Sequence, residues 1–170
     1  MSNNTLTGIY QDKVGFLWLG TDVGLSRYDG IHFHNYNLID KEPRALAHLY
    51  ETSNNLLWSH IANLNQIACF DKMRGIYMPL ISPTPEVLKD IQDICVLQDK
   101  LYALTSNVIV ELKMEKNADE IRLTAQPLID IKTKVLRLYN NEDILCALTV
   151  ENQILLYNCL LYTSPSPRDR

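Results

Sequence analysis

The sequence has no excess of basic residues: 16 Lys and Arg stand against 20 Asp and Glu, a formal net charge of −4. A nucleic-acid binder needs a positive stripe to neutralise phosphates, so this balance argues against one. Long hydrophobic runs are missing too. The longest charge-free stretch, Asn152 to Pro167, carries Asn, Gln, Thr, Ser and two prolines, which excludes a membrane helix of about 20 apolar residues. Residues 1–10 show neither a basic n-region nor an apolar h-region, so no secretory leader is read there.

Cysteine is sparse and unpaired in pattern. Cys69, Cys95 and Cys146 each lie in an apolar run, with no C-x-x-C spacing for zinc or redox chemistry. They read as buried structural thiols, small hydrophobes in behaviour. Catalytic signatures are also lacking: there is no G-x-S-x-G elbow, no H-E-x-x-H and no glycine-rich phosphate loop. A glycosidase needs two acids held across a cleft, and the sequence cannot pair Asp29, Asp71 or Asp99 in space. No catalytic residue, cofactor or metal is expected.

What is present is an ordinary folding composition, 46% hydrophobic and 21% charged, which argues against disorder over the whole length. It carries a repeat. Four segments share the pattern strand, turn, strand with a central aromatic or apolar residue, and third strand. Aligning the middle strands puts Trp18, Trp58, Tyr102 and Cys146 in one column, spaced 40, 44 and 44 residues apart. Three positions on come Thr21, Ile61, Thr105 and Thr149. Ten to twelve positions on come Tyr28, Phe70, Leu112 and Leu156, read as the inner side of the third strand. A period of 40–45 residues with three or four short strands per unit fits propeller blades and not helical repeats.

Local chemistry agrees. In Phe16-Leu17-Trp18-Leu19-Gly20-Thr21 every residue except Gly20 favours a pleated, half-buried surface. Alternation places apolar residues on both faces, as expected for a sheet sandwiched between neighbours. Gly20 then marks a close approach of the next blade's backbone. Turns are signalled by Asp12 to Gly15, Asp22 to Gly24, Asp29-Gly30 and Asn54-Asn55. Pro79, Pro83 and Pro85 make a stiff connection with a short helical turn at Glu86 to Asp90. Lys113 to Glu120 reads as a charged, exposed hairpin excursion with a few disordered residues.

The string Asn3-Asn4-Thr5, Ile9-Tyr10-Gln11-Asp12, Gly15-Phe16-Leu17-Trp18-Leu19-Gly20-Thr21, Gly24-Leu25-Ser26-Arg27-Tyr28-Asp29-Gly30 and Phe33 closely resembles the first blade of two-component regulator propellers. The resemblance covers residues 3–36, weakens over 44–78, and is architectural from 91 to 158. It implies an all-β fold: a partial propeller of about four blades of four-stranded antiparallel sheets (3–40, 44–80, 90–128 and 133–158), belonging to a seven-bladed ring. It further implies the periplasmic sensor region of a Bacteroidetes-type hybrid histidine kinase, dimeric in the full-length protein and binding glycan-derived oligosaccharides. The membrane would be reached only through a C-terminal part not in this chain, and kinase chemistry would lie there too. The rival classes are a carbohydrate-active propeller enzyme and a protein-interaction scaffold of WD type.

Residues 159–170 resemble translated read-through of a sequencing adapter and are read as a non-native tail, which would make the chain a fragment. Gly15, Trp18, Gly20, Thr21, Gly24, Leu25, Tyr28, Asp29 and Gly30 are read as motif positions that build the blade. His32 and His34 are read as solvent-facing residues of an outer strand, because a metal would want a third ligand and a supporting shell. After Trp58 the second unit reads Ser59-His60-Ile61 where the motif has Gly and Thr, and Trp58 and His60 are kept as ligand-binding candidates.

Overall fold

The computed structural model describes residues 5–37, 45–106, 108–141 and 143–158; the tail at 159–170 lies outside the described residues. The strands are β1 (Leu6–Gln11), β2 (Leu17–Thr21), β3 (Gly24–Tyr28), β4 (Phe33–Asn37), β5 (Leu46–Thr52), β6 (Leu56–Ile61), β7 (Gln66–Asp71) and β8 (Ile76–Tyr77). They continue with β9 (Leu80–Ile81), β10 (Asp93–Leu97), β11 (Lys100–Leu104), β12 (Val108–Lys116), β13 (Ile121–Asp130), β14 (Val135–Asn141), β15 (Ile144–Thr149) and β16 (Ile154–Asn158). Among the described residues the only helical piece is a 3-10 turn, Val87–Lys89, in the proline-rich connection.

These strands form four sheets, ordered β1-β2-β3-β4, β5-β6-β7-β8, β10-β11-β12-β13-β9 and β14-β15-β16. Within each, successive strands pair antiparallel through short turns. The first strand of every sheet packs against the first strand of the next, so four blades are arranged around their inner strands. The chain is a partial β-propeller.

Turn chemistry sets each blade. Asp12 Oδ1 accepts hydrogen bonds from the backbone N–H groups of Val14, Gly15 and Phe16, at 3.1, 3.0 and 3.0 Å. Its other oxygen accepts from Trp18 Nε1 at 2.9 Å. One carboxylate thus closes the β1–β2 turn and fixes the central Trp of β2. Asp71 closes the turn after β7, its Oδ1 accepting from the Met73 and Arg74 N–H groups. Thr21 and Thr105 close their turns identically, each hydroxyl donating to a carbonyl three positions on, Gly24 and Val108, at 2.9 Å.

Packing follows the repeat. Trp18, Leu25, Leu46, Leu49, Leu57, Ile61 and Phe70 form the core between the first two blades. Trp58, Cys69, Ile91, Ile94 and Leu101 belong to the core between the second and third. Cys95, Tyr102, Leu104, Leu138 and Leu145 lie between the third and fourth. Trp18, Trp58 and Tyr102 each fill the space toward the following blade, because aromatics bury the largest area per residue. Ion pairs cross the same joints: Lys72 Nζ reaches Asp12 Oδ2 at 3.0 Å and Glu51 Oε1 at 2.6 Å, and Lys116 Nζ reaches Asp71 Oδ2 at 2.7 Å.

The expected hairpin at Lys113 to Glu120 is present, with β12 running on to Lys116 and pairing with β13 from Ile121. Three expectations need correction. The blades are not all four-stranded: the connecting strand β9 adds parallel to β13, giving the third blade five strands, while the fourth has three. Leu156 is not an inner residue. The turn before β16 is one residue longer than its counterpart in the third blade, so Tyr157 pairs with Leu145 and packs inward, while Leu156 is 64% exposed. A one-residue slip reverses the face of every side chain in a strand. Cys69 and Cys95 are buried but Cys146 is only half-buried, because its column faces a side against which no described strand packs.

Candidate functional site

The inner strands carry a second column of side chains. Tyr10 pairs with Trp18, Tyr50 with Trp58, Cys95 with Tyr102, and Tyr139 with Cys146. Two residues earlier in the same strands lie Gly8, His48, Asp93 and Arg137. Successive blades therefore bring polar and aromatic groups together at the ring's inner edge.

Tyr10 donates its hydroxyl to Glu51 Oε2 at 3.3 Å, and burial together with that carboxylate raises its pKa to about 12. Tyr50 is hydrogen-bonded to Cys95 and feels Asp93 and Arg137; burial pushes its phenol well above the ordinary value. Arg137 is hydrogen-bonded to Tyr139, and both side chains are exposed.

Asp93 is the centre of this group. It is 1% exposed, yet it is fully partnered. Oδ1 accepts from His48 Nδ1 at 2.6 Å and from the Ile94 N–H at 2.9 Å, and Oδ2 accepts from the Leu138 N–H at 2.8 Å. One carboxylate thus joins the second, third and fourth blades. His48 reaches it from an irregular stretch of β5, where pairing shifts between Ala47 and Tyr50 and the His48 backbone takes φ 51°. Such a left-handed conformation is uncommon outside Gly, with Asn, Asp and His the side chains that adopt it most.

His60 completes the cluster. Its Nε2 lies 2.9 Å from the Ile91 carbonyl, so that nitrogen carries the hydrogen. Burial holds its pKa below the ordinary imidazole value. Its ring stacks on His48 at 6.1 Å between centroids and 20° between planes. Ligand atoms of His48, His60 and Asp93 all lie within 4.8 Å of one another.

The motif residues fall as follows. Trp18, Gly20, Thr21, Gly24 and Leu25 are buried, Tyr28 is half-buried, and Gly15, Asp29 and Gly30 are in exposed turns. Asp29 accepts from the Ile31 and His32 N–H groups; those bonds, His32 first, lower its pKa to about 2. His34 approaches the same carboxylate at 3.3 Å, and both His32 and His34 are exposed. Trp58 is fully buried, its Nε1 donating to Thr52 Oγ1 at 3.2 Å, and presents no open ring face. His60 lies in the inner cluster. His48, Asp93 and Arg137 carried no sequence signal, because their proximity depends on contacts between blades.

The fold and this inner column define a β-propeller class of protein, and comparison with known proteins agrees. Residues 1–23 match the family described as two component regulator propeller. No curated protein matches the sequence significantly. Among solved structures, the extracellular domain of a one-component system from B. thetaiotaomicron is 18% identical, covering 93% of this chain and 24% of that one, with a TM-score of 0.64. The extracellular domain of a hybrid two-component system from the same organism is 19% identical over 93% of this chain and 24% of that one, with a TM-score of 0.63. A catalytically inactive H270A virginiamycin B lyase from Staphylococcus aureus is 18% identical over 96% and 59%, with a TM-score of 0.60. At these identities the likeness is one of fold. The chain spans about a quarter of the two extracellular domains. Among the described residues, no helix is long and apolar enough to cross a membrane.

Proposed function

We propose that the chain is a ligand-sensing part of an extracytoplasmic propeller from a hybrid two-component sensor, acting by binding rather than by chemistry. The reading rests on the family match at residues 1–23, on a propeller fold shared with extracellular sensor domains, and on the polar inner column. The ligand class that suits the column is a glycan-derived oligosaccharide. Arg137 and His48 offer hydrogen-bonding groups at an edge open to solvent. In the full-length protein the sensor region would act as a homodimer.

Saturation-transfer NMR on the chain, with a panel of oligosaccharides released from plant and host glycans, tests this. Transfer to at least one oligosaccharide, abolished by Arg137→Ala, is the expected result. Silence across the panel would sink the oligosaccharide reading. Propellers also carry enzymes, as the lyase neighbour does; oligosaccharide recovered cleaved or unsaturated would favour that alternative.

A further inference from the structure

We propose that His48, His60 and Asp93 form a binding site for a divalent ion of the zinc class at the joint between the second and third blades. The neighbouring joint provides the contrast. There Gly20 abuts the carbonyl oxygen of Leu46, and a Cβ on Gly20 would overlap it. In the second blade the position 40 residues on is His60, and the residue 45 on from Leu46 is Ile91. The backbone contact of the first joint is thus replaced by an imidazole bonded to a carbonyl. The second joint is held open by a side chain, and His48 stacks into the same space.

Each donor is prepared for a cation. Asp93 is held rigidly by two backbone N–H groups, from Ile94 and Leu138, so it need not be reoriented. A metal-ligating His characteristically donates its other ring N–H to a carbonyl or carboxylate; His60 already donates Nε2–H to Ile91, leaving Nδ1 as its lone pair. His48 is placed beside Asp93 by a left-handed backbone. Strain of that kind persists only where the surroundings enforce it, and it clusters at functional sites.

Two imidazoles and one carboxylate suit zinc, with water completing a tetrahedron. Bonds of about 2.1 Å put ligand atoms roughly 3.4 Å apart on such an ion. The observed spread of up to 4.8 Å therefore draws in by up to about 1.4 Å, while the 2.6 Å spacing of His48 and Asp93 opens to make room for the ion. The ion takes the place of the hydrogen shared by His48 and Asp93. That proton passes to the other nitrogen of the His48 ring, which stays neutral.

The test uses the full chain, stripped with EDTA, desalted, and titrated with Zn2+ and separately with Co2+. One ion per chain is expected, with visible Co2+ bands of a nitrogen and oxygen ligand set and no thiolate band in the near ultraviolet. His60→Gln and His48→Asn should each weaken Zn2+ binding at least about 10-fold. Asn accepts the left-handed backbone that His48 occupies. The His32→Asn, His34→Asn double variant should bind as the parent does. Absent binding, binding that survives both inner variants, or loss in the outer double variant would overturn the proposal. Should an inner variant fail to fold, the parent's Co2+ spectrum decides: a thiolate band, from Cys95 beside the site, or more than one ion refutes this ligand set.

Discussion

Gly20→Ala is the sharpest probe of how the blades fit. The added methyl would meet the Leu46 carbonyl, with the Leu46 carbonyl carbon at 3.0 Å and Gly8 N at 3.4 Å. All three are backbone atoms, so no rotamer change relieves the clash. The first two blades must move apart by about an ångström, and a gap of 0.5–1 Å already forfeits roughly a quarter to a half of each contact across it. That loss falls on the core of Trp18, Leu25, Leu49, Leu57, Ile61 and Phe70. The cost expected is the upper end of overpacking, about 3 kcal/mol, or roughly 6–12 °C in Tm for a chain of this size. The two tryptophans sit in different joints, so in a Trp58→Phe background Trp18 emission reports on the first joint alone. It should shift to the red in Gly20→Ala. Gly15→Ala is the control: nothing lies within 4 Å of its Cβ, and only the φ of 105° is strained, at about 1–2 kcal/mol. A Gly20→Ala chain within about 0.5 kcal/mol of the parent, with unchanged Trp18 emission, would refute the blade-contact reasoning.

Lys72→Met should destabilise by about 3–5 kcal/mol, because it leaves Asp12 and Glu51 buried without their cation; urea denaturation at neutral pH measures it, and a loss under about 1 kcal/mol would show the pair to be a surface one. Burial opposes the ionisation of Asp12 and Asp71, but hydrogen bonds from Trp18 and Lys72, and from Lys116, hold both pKa values below the ordinary carboxylate range. Their contribution is therefore complete above about pH 4 and is lost as pH falls through the lower folded values; a denaturation midpoint that stays flat from pH 6 to pH 3 would contradict this. Leu156→Asp should leave the melting temperature nearly unchanged and reduce concentration-dependent association in sedimentation, since Leu156, Ile154 and Tyr139 form an exposed apolar face on the fourth blade. Tyr157→Asp, one residue on, should instead unfold that blade; equal effects from the two would reject the observed register.

The propeller class was legible in the sequence because its signals are local. A turn Asp such as Asp12, a Thr that closes the next turn, and a large residue in the middle of β2, β6 and β11 act within about ten residues of chain. Their recurrence every 40–45 positions needs no knowledge of which blades touch. Even the close approach at Gly20 follows from a missing side chain in an otherwise bulky strand. Register was harder. One extra turn residue before β16 exchanged the faces of Leu156 and Tyr157, and composition does not count turn residues.

Tertiary structure alone decided what meets at the inner edge. His48, His60 and Asp93 lie 12 and 33 residues apart in sequence, with no motif between them, and they converge through a shift in β5 and the spacing of two separate sheets. The same holds for Lys72 with Asp12 and for Arg137 beside Tyr50. Alternation and turn type constrain a residue's own strand. Which side chain stands opposite on the neighbouring blade depends on how two sheets stack, and stacking is set by the summed packing of the whole joint.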